Sequence, residues 1–517
     1  MSKVSKIRKS RDTWKTKAVE RGSELRYYRR ELGRVKKERD RFRKESKEAH
    51  KEVDTLKREN QQPAVCNKEQ VIFMAVMLFQ KGHIGFRAVS RVLEVLGKYL
   101  GISKAPCVQT VINWVNKLTV ARMEAPAISA SPATRSNTCN GSMWVIDTSI
   151  ALGAEKLLCL LALDAHHHGF RKGYPTLEDV RCIAVATAAS WTGQSIADFL
   201  WKAIQSLGRP VAFLKDGGTD LIKAMDILKQ QGCPIPCIED VSHFVANLLK
   251  HEYGGDPLLE RFLSACGKAS QKLKQTVLAC LAPPRTPSKA RFMNLHRLVS
   301  WADQILRHSP AGRAPKGSLL EKLRKALGEV KSCRPFIRRF LRDAEALLAC
   351  EKVLKTEGLT EKTIERCCSI LQSLPQNSPV CKGFVAWMSR QSQVAQELGL
   401  IRPGLVTSSD CIESVFQLGK SLGAGEIKDA HRIGCHIPAM CGTVTPDEIP
   451  RIMQVSGAHT AEVLGKQASL MGLRRRILPN PGTLEELLAT RSDGNIELIA
   501  GAEKCARYSG YDVILMG

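Results

Sequence analysis

The stretch from residue 142 to 239 alternates in a way that few folds accept. Three apolar runs follow one another: Met143–Asp147, Glu155–Asp164 and Val180–Ser190. An amphipathic span, Thr192–Leu207, leads to a fourth run, Val211–Asp216, and a second span, Thr219–Gln231, to a fifth, Ile235–Glu239. Short apolar runs bounded by turn residues read as strands, and spans of 3.6-residue period read as helices. The order strand, strand, strand, helix, strand, helix, strand predicts an α/β core.

Four of these five runs end in carboxylates, and two of them, Asp147 and Asp216, stand out. Asp147 closes Met143-Trp144-Val145-Ile146, and Asp216 closes Val211-Ala212-Phe213-Leu214-Lys215. A third acid, Glu413, lies in Ser409-Asp410-Cys411-Ile412-Glu413-Ser414-Val415-Phe416, which reads as a helix. Two carboxylates at adjacent strand ends, with a third from a helix packed on the sheet, can hold two divalent cations roughly 3.5–4 Å apart. Such a pair activates a water or a 3′-hydroxyl and stabilises the leaving oxygen of a phosphodiester. Mg2+ or Mn2+ are the hard cations that suit these oxygens. Each acid also has a plainer explanation: Asp147 as a strand end, Asp216 before Gly217-Gly218 as a turn, Glu413 as a helix-surface residue. Their order and sheet context together favour a site. Asp164 is the main rival, with Asp220 and Asp410 behind it.

The charge balance points to the same partner. Lys and Arg number 78 against 51 Asp and Glu, a formal charge of +27. That surplus favours a polyanion, most simply nucleic acid. Residues 1–60 carry 22 Lys and Arg against 11 Asp and Glu, with no proline. A heptad fits there, with one seam through Trp14, Arg21, Tyr28, Val35, Phe42, Ala49 and Leu56 and the other through Ala18, Leu25, Leu32, Arg39, Ser46 and Val53. One reading is a basic helical, coiled-coil arm over 1–62 that dimerises and grips phosphate through residues such as Arg29, Arg30, Lys36 and Lys37, and a solvated basic helix that folds only on DNA fits equally well. Pro63 breaks it. Residues 66–124 predict short helices in a helix-turn-helix layout, the second helix exposing Gln109, Thr110, Asn113 and Lys117 to the major groove. A polar linker is expected over 125–141.

Other classes fit poorly. The longest strongly apolar run, residues 71–79, is about half a membrane span. The 18 cysteines are scattered and lack zinc spacing. Neither a P-loop nor a dinucleotide fingerprint occurs, and Gly423-Ala424-Gly425 is too isolated to count. Adjacent histidines at His166-His167-His168 point apart and read as a polar hairpin end. No signal peptide is seen, so an intracellular protein with reduced thiols is expected.

With Asp147, Lys215-Asp216-Gly217-Gly218 and Glu413 in this order, the chain resembles the DDE-type transposases of insertion elements. The resemblance covers residues about 140–250 and 405–420. It implies a ribonuclease H-like core over 142–250, a helical insertion over 251–400 and a Glu-bearing core helix over 401–425. Residues 426–517 have no clear reading. Lys420, seven positions after Glu413, matches a Glu-x6-Lys pattern whose lysine contacts DNA phosphate. Asp240-Val241-Ser242-His243 matches an Asp-x-x-His near such sites, with His243 beside the scissile phosphate or a carboxylate. The plainer account makes Asp240 a helix N-cap. The resemblance implies binding of double-stranded DNA at element ends and target, metal-dependent strand cleavage and transfer, a homo-oligomer and a cytoplasmic, nucleoid-associated place in a bacterium. The alternatives are a decayed transposase acting as a DNA-binding regulator, and a ribonuclease H-like nuclease.

Overall fold

A computed structural model describes residues 3–61, 66–102, 104–124, 141–148, 155–164, 175–285, 291–308, 312–375, 377–422, 430–465, 482, 485 and 497–499. For 3–9, 53–61, 291 and 497–499 it describes the backbone alone. His166–His168, Gly423–Gly425 and the expected linker up to residue 140 lie outside the described residues. The chain divides into two compact units: residues 1–68 with 92–105, and residues 69–91 with 106–517.

The first unit is dominated by α1 (Lys3–Gln61), one unbroken helix of 59 residues. Helices α2 (Lys68–Gln80), α3 (Phe86–Leu100) and α4 (Val108–Glu124) follow, with the last residues of α3 in the first unit.

The second unit is built on a mixed sheet. Its strands are β1 (Ser142–Thr148), β2 (Lys156–Asp164), β3 (Val180–Ala188), β4 (Ala212–Lys215) and β5 (Cys237–Glu239), with α5 (Gly193–Leu207) and α6 (Thr219–Gln230) between them. A short β6 (Glu497–Ile499) completes the spatial order β5-β4-β1-β2-β3-β6. β1, β2 and β3 pair antiparallel, whereas β4 runs parallel to both β1 and β5. The helices explain the difference, because a parallel neighbour needs a crossover segment. Met143–Ile146 on β1 and Ala212–Leu214 on β4 are buried, as expected of strands covered on both faces. Trp144 meets Phe213 edge to face at 6.0 Å in this core.

Helices α7 (Val241–Tyr253), α8 (Pro257–Lys274), α9 (Arg291–Arg307), α10 (Leu319–Ser332), α11 (Arg334–Glu357), α12 (Glu361–Leu371) and α13 (Pro379–Glu397) form the helical region expected after the fifth strand. Tyr253, Phe262, Phe336 and Phe340 fill its centre, where the Tyr253 hydroxyl donates to the buried Asp343 Oδ2 at 2.6 Å. The chain then returns as α14 (Asp410–Ser421), which packs on β1.

Residues 430–464 form α15 (Ala430–Met440), α16 (Ile449–Gln454) and α17 (Gly457–Leu464). α15 lies close on the sheet: a Cβ on Gly434 would come within 3.3 Å of Leu157 Cδ1. It also receives α2 and α4. Gln80 Nε2 donates to Ala439 O at 3.2 Å, Gln80 Oε1 accepts from Val444 N at 2.9 Å, and Thr119 Oγ1 donates to Cys435 O at 2.8 Å. Arg122 pairs with Glu448 at 3.1 Å. α2 and α4 therefore belong to the same compact unit as the sheet. The molecule is an α/β core joined to extensive helical regions. Among the described residues no helix is long and apolar enough to cross a membrane, and no disulfide joins any of the 16 described cysteines.

Candidate active site

The register of the three parallel strands places the acids. Ile146 on β1 pairs with Lys215 on β4, and Lys215 pairs with Glu239 on β5. The next residue on each strand is Asp147, Asp216 and Asp240, so three aspartates stand in a row at the carboxyl ends of neighbouring strands. Adjacent strands lie about 4.8 Å apart. Such strand ends are where α/β sheets bind ligands.

The three carboxylates differ in what already holds them. Asp147 Oδ1 accepts from Thr148 N at 2.6 Å. Asp216 Oδ1 accepts from Gly218 N at 2.9 Å, and a Cβ on Gly218 would itself lie 2.9 Å from that oxygen. Glycine there lets the chain turn tightly under the carboxylate. Asp240 is fully engaged: Oδ1 caps α7 by accepting from His243 N at 2.8 Å, and Oδ2 accepts from Ser409 N at 2.6 Å and Ser409 Oγ at 2.9 Å. Its own N–H donates to Lys215 O at 2.9 Å, and Val241 N donates to Thr407 O at 2.9 Å. The N-cap reading of Asp240 is correct; its side chain ties α7 to the start of α14, and its backbone N–H ties both to β4.

That tie brings Glu413 to the row. Glu413 lies in the first turn of α14, where the helix dipole favours a carboxylate. His243 stands between the groups, with Nε2 3.6 Å from Glu413 Oε1 and Nδ1 3.5 Å from Asp240 Oδ1. Its buried Nδ1 makes no hydrogen bond. Burial opposes the imidazolium charge, but Asp240, Asp216, Asp147 and Glu413 outweigh it and raise the His243 pKa. Burial, reinforced by Asp216, pushes Asp147 up to about 7, against the pull of His243 and the Thr148 N–H. Burial also raises Glu413, with His243 pulling the other way.

The rivals separate cleanly. Asp164 pairs with Ser142 while Asp147 pairs with Cys159, so Asp164 is at the opposite end of the sheet. Asp220 is exposed on α6. Asp410 is bound by Lys355 Nζ at 2.8 Å. Lys420 lies two turns beyond Glu413 on α14 and is half-buried. On α4, Gln109 and Asn113 are exposed and Thr110 and Lys117 half-exposed, with Gln109 Nε2 donating to Asn113 Oδ1 at 3.0 Å. Arg29, Arg30, Lys36 and Lys37 are exposed on α1.

Sequence reasoning missed the support from the helical region. Lys355 on α11 bridges Asp410 and Glu351, the latter at 3.1 Å, and Ser242 Oγ donates to Glu351 Oε1 at 2.9 Å. Through Asp410, Lys355 holds the first turn of α14, which carries Glu413. Only the Lys355–Glu351 spacing of four on a helix was visible in the sequence.

Asp147, Asp216 and Glu413 offer the hard oxygen donors that Mg2+ or Mn2+ takes. Burial, with Asp216 beside it, raises Asp147, and a divalent cation would relieve the repulsion between the two carboxylates. Among the described residues, however, no three His, Cys, Asp or Glu side chains are already drawn together as a metal cage. No protein-family model and no curated protein matches the chain.

Proposed function

We propose that the chain is a DNA transposase of the DDE type, cutting DNA at element ends and joining them to a target. The observation that carries this reading is the adjacent placement of Asp147 and Asp216 at parallel strand ends, with Glu413 Oε1 3.6 Å from His243 Nε2. The strand order β5-β4-β1-β2-β3 and the return of a Glu-bearing helix after a helical insertion support a ribonuclease H-like core.

Asp147, Asp216 and Glu413 would hold two divalent cations. When bound, such ions supply the charge that activates a water or 3′-hydroxyl and stabilises the departing oxygen. Asp216 is aimed by the Gly218 N–H, and Asp147 by Thr148 N. Asp240 fixes the Glu413 helix without spending any metal-binding oxygen. His243 offsets surplus negative charge beside the scissile phosphate. Lys420 would contact phosphate, and Gln109, Thr110, Asn113 and Lys117 would read the terminal repeat.

The test is cleavage of DNA flanking the reading frame, with Mg2+ or Mn2+ against EDTA. Wild type should nick at a fixed junction. Asp147→Ala and Glu413→Gln should lose cleavage by about 100-fold or more, while end binding stays within a few-fold. Normal cleavage by Asp147→Ala refutes the site. Binding without cleavage by wild type would favour the regulator reading.

A further inference from the structure

α1 carries an exposed apolar surface. Trp14, Leu25, Tyr28, Leu32, Val35 and Phe42 are between 57% and 67% exposed. All six fall on the two heptad seams, with Leu25 and Leu32 at position a and the other four at d. A helix of 59 residues is about 88 Å long. Its stability must come from burying that stripe.

The flanking charges say what buries it. The first four g positions from Glu24 onward are Glu24, Glu31, Glu38 and Glu45, and the e positions one heptad further on are Arg29, Lys36, Arg43 and His50. In a parallel pair each g residue faces e of the partner's next heptad. That sets Glu24 against the partner's Arg29, Glu31 against the partner's Lys36, Glu38 against the partner's Arg43 and Glu45 against the partner's His50. An antiparallel pair would instead face acid with acid and base with base, which costs stability along both edges. We infer that α1 pairs with α1 of a second copy of this chain as a parallel, in-register, two-stranded coiled coil.

Details on the helix agree. Arg39 is the charged residue at a, and its guanidinium donates to Asp40 Oδ1 at 2.7 and 3.0 Å, so it carries its own counter-charge. Polar a residues of this kind fix register at some cost in stability. In the single chain Glu31 and Glu38 lie 3.8 and 3.9 Å from Arg34, and Glu45 lies 2.9 Å from Arg41. Those exposed pairs are weak and leave the glutamates free to turn to a partner. Pairing occupies Arg29 and Lys36. It leaves Arg30 and Lys37, at f, outward for phosphate.

The inference is independent of the proposed chemistry, and Asp147→Ala should dimerise as wild type does. Sedimentation of the full chain at micromolar concentration should show a dimer. The quadruple variant Glu24→Lys, Glu31→Lys, Glu38→Lys, Glu45→Lys should raise the dimer Kd by about 100-fold or more. Orientation is read by spin-label distances from a nitroxide amino acid at Ser10. A parallel pair places the two labels within about 20 Å, whereas an antiparallel pair separates them by about 60 Å. A monomeric wild type, an undiminished dimer in the quadruple variant, or the long distance each overturns the inference.

Discussion

At the residue scale the raised Asp147 carboxyl has a measurable consequence. Its ordinary pKa of 3.8 rises to about 7 in the fold through burial and Asp216. Between those values the folded chain holds a proton that the unfolded chain has released. Stability from this group therefore falls as pH rises from about 4 to 7. Asp147→Asn removes the dependence, so without divalent cations the variant should melt above wild type at pH 8, with a smaller difference at pH 5. Mn2+ should then raise the wild-type melting temperature and leave the variant unmoved. Identical pH profiles for the two proteins would show that Asp147 ionises normally.

At the element scale the site depends on how α7 and α14 are held to the sheet. Asp240 caps one helix and anchors the start of the other, and both Asp240 and Ser409 are buried. Removing a cap costs about 1 kcal/mol. Leaving the Ser409 N–H unpaired costs about 1–3 kcal/mol more. Asp240→Ala should lower unfolding free energy by about 2–4 kcal/mol in a denaturant titration with unchanged slope. It should also reduce cleavage, because Glu413 rides on α14. Asp240→Asn keeps one acceptor and should lose roughly half as much. A stability change within about 0.5 kcal/mol for the alanine variant would mean that the tie contributes nothing.

At the scale of the whole molecule the charge of +27 governs partner binding. A duplex lying along the basic face of α1 would meet at least about six cations. Affinity for DNA should then fall by about 1,000-fold or more between 50 and 200 mM salt. Filter binding or fluorescence anisotropy across that range checks it, and a flat response would rule out phosphate contacts as the main source of affinity. Replacing Arg30 and Lys37 by Ala should reduce the slope by about 2 for each chain bound.

The strands and helices from 142 to 239 were legible in the sequence because their periodicity and boundaries are local. Predicted Thr219–Gln231 and observed Thr219–Gln230 differ by one residue, and Thr192 caps α5 just where the expected helix begins. The strand ends at Asp147 and Asp216 were legible for the same reason, and so was the heptad on α1, whose paired charges are written at fixed spacing. Three things depended on tertiary contact. Strand register alone puts Asp164 at the wrong end of the sheet and sets Asp240 beside Asp216. Lys355 reaches Asp410 across 55 residues of chain. α2 and α4 pack on residues 430–464 through Gln80, Thr119 and Arg122, more than 300 residues away. Local pattern reports which side chains an element buries. It carries no record of which distant element does the burying, because a hydrophobic face is satisfied by any surface of matching shape.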